Sequence, residues 1–75
     1  MNYTEFIESN PDIMLGKPVI RGTRITVELI IQKLSDGASH QQLLEAYPTL
    51  TANDILAALA YASEVISNET IIALS

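Results

Sequence analysis

The chain has 75 residues, nine Asp and Glu against four Lys and Arg, a single histidine and no cysteine. That length allows one domain with a modest core, so help from a partner is expected. The charge of -5 argues against general attachment to phosphate backbones. Without cysteine there are no disulfides or thiolate zinc sites, and His40 alone cannot assemble a metal site, so no cofactor is expected. No basic segment leads into an apolar one at the start, and no apolar run reaches the roughly 18 residues of a membrane span. The expectation is a protein of the reducing cytoplasm with no membrane partner.

Tyr3, Phe6 and Ile7 share a helical face, predicting a short helix within Asn2 to Ser9. Asn10-Pro11-Asp12 is a turn signal, and Ile13-Met14-Leu15 is an apolar run expected to pack down before Gly16. From Gly16 to Val27 the chain gathers three of its four cations, Lys17, Arg21 and Arg24. Val19 and Ile20 favour extended backbone, and Gly22 suits a turn with positive φ. The segment reads as an extended arm or small β-ribbon leading into a helix.

Apolar residues at helical spacing predict a helix from Val27 to Asp36, with Thr26 as cap, Glu28 in the first turn and Gly37 as stop. Ser39 and Gln42 have the spacing of a capping box and open a second helix, which must end before Pro48. Thr51 and Asp54 repeat the box, and Leu50 is placed to staple onto Ile55. A third helix follows from Ala52 to about Ser67. Ile55, Leu56, Leu59, Ala62 and Val65 or Ile66 mark its apolar spacing, and alanines at 57, 58 and 60 permit close approach. The whole is a single domain: a leader and basic β arm over residues 1–26, a helical core over 27–67, and an apolar tail over 68–75.

No catalytic residue is expected. His40 has no acid or nucleophile spaced for a relay, Asp12, Asp36 and Asp54 occupy structural positions, and the isolated glycines match no phosphate loop. The second and third helices have the layout of a helix-turn-helix, yet the leading residues of the third include an aspartate and no cation. Asn53 is its one candidate for pairing with a base, and asparagine is also ordinary at a helix start. In an extended arm Lys17 and Arg21 share a face, and Arg24 joins them only if the Gly22-Thr23 turn folds the ribbon back. We expect Arg21 and Arg24 to pair with carboxylates and fix the arm to the helices, with DNA contact by Lys17, Arg21 and Arg24 as the alternative. Ile71, Ile72 and Leu74 either close the core or dock on another chain.

The strings NPDIMLGKPVIRGTRITVELIIQKLSDGAS and LLEAYPTLTANDILAALAYASE resemble the bacterial family called domain of unknown function 433, across roughly Phe6 to Glu64. The most specific part runs through Gly16, Lys17, Pro18, Arg21, Gly22, Thr23 and Arg24. Thr26 departs from a proline that many members carry; both residues suit a helix start. The resemblance implies a mainly α fold, a three-to-four-helix, homeodomain-like helix-turn-helix domain with a short N-terminal β element. It also implies an antitoxin role beside a small PIN-like nuclease toxin, and it brings no catalytic residues. The expected function is therefore a non-enzymatic antitoxin-like protein with a nuclease partner, homo-oligomeric. The alternative is a DNA-binding regulator acting on its own operon as a dimer.

Overall fold

The computed structural model describes residues 1–68. The expected docking residues Ile71, Ile72 and Leu74 lie outside the described residues. Among the described residues the fold is mainly helical, three helices with a two-stranded antiparallel sheet near the N-terminus.

The leader is not the expected helix. Tyr3–Glu5 makes one 3-10 turn capped by Asn2, and the chain then straightens into strand β1, Ile7–Glu8. Four or five residues cannot hold an isolated helix, because nucleation costs more than so short a segment recovers. Pairing with strand β2, Val19–Ile20, offers the backbone a better solution: Ile7 faces Ile20 and Glu8 faces Val19. The Arg21 amide extends the pairing with a 2.7 Å bond to the Phe6 carbonyl.

On its other side β2 meets the chain returning from the turn at Gly22, whose φ is +80°. Thr23 closes that turn through its amide and its hydroxyl, both donating to the Ile20 carbonyl, at 2.9 and 2.8 Å. The Ile20 amide donates to the Ile25 carbonyl, and Val19 bridges Thr26. The expected ribbon therefore exists and is folded back, with Val19 and Ile20 buried at its centre.

Thr26 ends the ribbon and caps helix α1, Val27–Ser35, its hydroxyl accepting from the Leu29 amide. Helix α2, His40–Ala46, begins with the complete Ser39–Gln42 capping box and stops at Tyr47, before Pro48. Helix α3, Ala52–Ser67, begins with the Thr51–Asp54 box. Leu50 and Ile55 are both buried in the core, with Ile7, Ile20, Val27, Ile30, Leu43, Ala57 and Ala58. Ala57 and Ala58 are fully buried, and α3 packs against α1.

Met14 and Leu15 depart from expectation. Ile13 is half-buried, but Met14 is exposed and Leu15 is 94% exposed. Met14, Leu15 and Gly16 all have positive φ, +49°, +59° and +82°, forming a left-handed turn in which the Gly16 amide donates to the Ile13 carbonyl. An apolar run can pack down only if the backbone is free to aim it inward. Here the turn that must reach Lys17 throws both side chains outward.

Candidate protein-docking site

The folded ribbon separates the three cations of the arm. Lys17 forms a 3.0 Å ion pair with Glu28 of α1, both side chains largely in water. Arg21 turns toward the leader, where Nη2 donates to the Thr4 carbonyl at 3.0 Å and Nε to the Glu5 carbonyl at 3.2 Å. Nη2 makes a longer 3.5 Å approach to the Ile7 carbonyl. Arg24 makes no ion pair among the described residues and shares a shallow hollow with Lys17, Met14 and Glu28.

The expectation of arginine–carboxylate pairing is thus corrected. Arg21 does fix the arm, but to backbone carbonyls of the leader rather than to acids, because the end of a 3-10 turn leaves carbonyls without internal partners. A guanidinium presents several donors in a fixed fork and suits such a cluster. The carboxylate nearest the turn, Glu8, is engaged by the Gly22 amide at 2.8 Å instead. The fold-back also places Arg24 at one hollow with Lys17, while Arg21 bonds the leader.

Asn53 is exposed on the first turn of α3, with Ala52 and Leu56 also exposed. Asp54 is buried in the capping box, where its carboxylate accepts from the Thr51 amide at 2.9 Å. His40 is exposed at the start of α2. Among the described residues no three His, Asp or Glu side chains stand close enough to share a metal ion.

A concavity lies elsewhere among the described residues, between α1 and the C-terminal half of α3. It is a groove of about 480 Å³ walled by Val27, Ile31, Tyr61, Ala62, Val65 and Ile66, with the Lys17–Glu28 pair also lining it. Of the residues that mark the apolar spacing of the third helix, Leu56, Leu59, Val65 and Ile66 are exposed. The reason is geometric. Helix α3 carries apolar residues over more of its circumference than two short helices can cover, and α1 ends after nine residues. The excess breadth of that stripe was the available signal in the sequence, since an ordinary surface helix needs an apolar arc of little more than 100°.

Near the leader, Tyr3 packs edge-on against Tyr61, ring centroids 5.3 Å apart. Hydrogen bonding to Glu64, then desolvation and the negative charge of Glu64, raise the Tyr3 hydroxyl above its ordinary pKa. Tyr61 therefore links the leader, through Tyr3, to the groove it lines.

The two-stranded sheet, the three helices and the groove between α1 and α3 make up a small, mainly helical fold. Residues 7–62 match the model of the protein family of unknown function DUF433, and the chain belongs to that family. An uncharacterized protein, y4eO, of Sinorhizobium fredii (strain NBRC 101917 / NGR234) is 43% identical over 58 residues. The match takes in 77% of this chain and 26% of that protein, so the chain spans about a quarter of the curated relative's length. A crystal structure of a DUF433 member protein from Anabaena variabilis ATCC 29413 superposes with a TM-score of 0.78 at 36% identity. It matches 81% of this chain and 60% of the other. No helix among the described residues is long and apolar enough to cross a membrane.

Proposed function

We propose that this chain is a non-enzymatic, antitoxin-like binding protein of the cytoplasm that holds and silences a PIN-like nuclease. The observation that carries the reading is the apolar groove between α1 and α3. An apolar segment of the nuclease seats there, and the carboxylates that dominate the surface, with a charge of -5, complement a basic RNA-binding cleft and speed association. The cations of the arm are largely committed to structure, Lys17 to Glu28 and Arg21 to the leader.

Co-expression with a small nuclease found in an adjacent reading frame tests the proposal, and the absence of such a frame counts against it. Val65 is already exposed, so Val65→Glu places a charge in the groove without opening the core. The expected outcome is at least a roughly tenfold loss of nuclease inhibition, the scale of a disrupted apolar contact, with the circular dichroism unchanged. Full inhibition by the variant rejects the groove as the docking site.

The second reading, a DNA-binding regulator, is favoured by the α2–turn–α3 layout and by the exposure of Asn53 and Arg24. It predicts that Arg24→Ala lowers the salt dependence of operator binding by about one unit of log–log slope. An unchanged slope dismisses the arm as a phosphate contact.

A further inference from the structure

Helix α3 delivers the chain to the mouth of the groove that it walls. Val65 and Ile66 line that groove, Asn68 caps the end of the helix, and Glu69-Thr70-Ile71-Ile72-Ala73-Leu74-Ser75 follows directly. Glu69 is the one charged side chain of that segment and stands at its near end, so an uncharged apolar run from Ile71 to Leu74 lies beyond it. Along α3 the groove wall reaches back from the cap to Tyr61, about 10 Å of helix at 1.5 Å per residue.

We propose that the groove receives the chain's own residues 71–74 as an extended strand folded back from the end of α3. Connectivity selects this occupant. Any apolar segment suits the chemistry of Val27, Ile31, Ala62, Val65 and Ile66, but this one is tethered within a turn of Ile66. A short tether holds its ligand at an effective concentration on the order of millimolar, which a separate segment must match from solution. The lengths agree. Glu69 and Thr70 supply the reversal, and the four residues from Ile71 to Leu74 then cover about 13 Å at 3.3 Å each, enough to lie along the wall as far as Tyr61. In extended backbone Ile72 and Leu74 share a face, so they enter the groove together, Ile72 beside Val65 and Leu74 beside Tyr61 and Ala62. The driving force is the cover they give to Val65 and Ile66, 43% and 58% exposed. A nuclease segment seated in this groove must first displace the strand, so the groove admits only segments that outcompete a tethered one.

The inference rests on the nuclease reading only for that competition, since occupancy is measured on the chain alone. The chain has no cysteine, so occupancy can be read by disulfide formation in the dilute full chain. Ser63 is exposed outside the groove at nearly the same sequence separation from Leu74 as Ala62. Ala62→Cys with Leu74→Cys should therefore close an intramolecular disulfide at least about tenfold faster than Ser63→Cys with Leu74→Cys. If Ala62→Cys fails to fold, the exposed Val65 takes its place: Val65→Cys with Ile72→Cys is compared with Glu64→Cys and Ile72→Cys. Equal rates within a comparison overturn the proposal. With the nuclease present, Ile72→Glu should inhibit at about tenfold lower concentration than the wild type, because nothing then competes for the groove. Unchanged or weaker inhibition by Ile72→Glu overturns the competition. No inhibition by any form, beside an intact disulfide preference, rejects the nuclease reading and supports the occupancy.

Discussion

Arg21 and Arg24 stand three residues apart in the same basic segment and end in different surroundings, because the turn at Gly22 lies between them. Arg21 joins the leader to the ribbon through the Thr4 and Glu5 carbonyls, whereas Arg24 stays at the rim of a shallow hollow. Arg21→Ala should cost about 1 kcal/mol, the low end for hydrogen bonds to a charged donor because the contact is solvated. Urea unfolding measures this, and Arg21→Lys should restore less than half, since an ammonium cannot span the Thr4 and Glu5 carbonyls as a fork does. Tyr3 gives a pH signature. Its pKa is raised on folding, so its contribution to stability is fully present below the ordinary value of 10.0 and is lost as pH rises through the higher folded value. Thermal unfolding across the alkaline range should therefore show a steeper loss for the wild type than for Tyr3→Phe, and equal slopes would refute the contact with Glu64.

At the scale of elements, the helix starts were the most legible features. Thr26, Ser39 and Thr51 all cap as expected, because a cap is a local bond between side chain and backbone within three residues. In the Thr51–Asp54 box the two bonds are reciprocal, 3.1 Å from the Asp54 amide to Thr51 Oγ1 and 2.9 Å from the Thr51 amide to Asp54 Oδ2. Thr51→Ala and Asp54→Ala should each destabilise by about 1 kcal/mol. The double variant should lose less than the sum, because each single change already frees its partner from the box. A double-mutant cycle in urea checks both statements. The leader was misread for the opposite reason: its apolar spacing fits a helix, but its conformation is set by β2, far along the chain.

For the whole molecule, α1 packs on α3, and Ala57 and Ala58 of α3 are fully buried in the core. Ala58→Leu should destabilise by about 1–3 kcal/mol through overpacking, while the same change at the half-buried Ala60 should cost under about 0.5 kcal/mol. Calorimetry of the two variants separates them, and equal losses would show that α3 is not held at its buried alanines. The shorter α1 leaves part of α3 uncovered, so the groove and the exposure of Leu56 and Leu59 both follow from one short helix packed on a longer one.

The sequence alone determined the helix boundaries, the caps, the turn at Gly22 and the family signature, because each rests on interactions within a few residues. It also marked the basic segment and the apolar spacing of the third helix. Only the tertiary structure decided where these went: Arg21 to backbone carbonyls, Lys17 to Glu28, Leu15 into water, and Leu56, Leu59, Val65 and Ile66 to the surface. Those outcomes depend on how the ribbon folds back and on which arc of α3 the shorter helices can cover. Both are fixed by packing between distant segments, which local spacing does not encode.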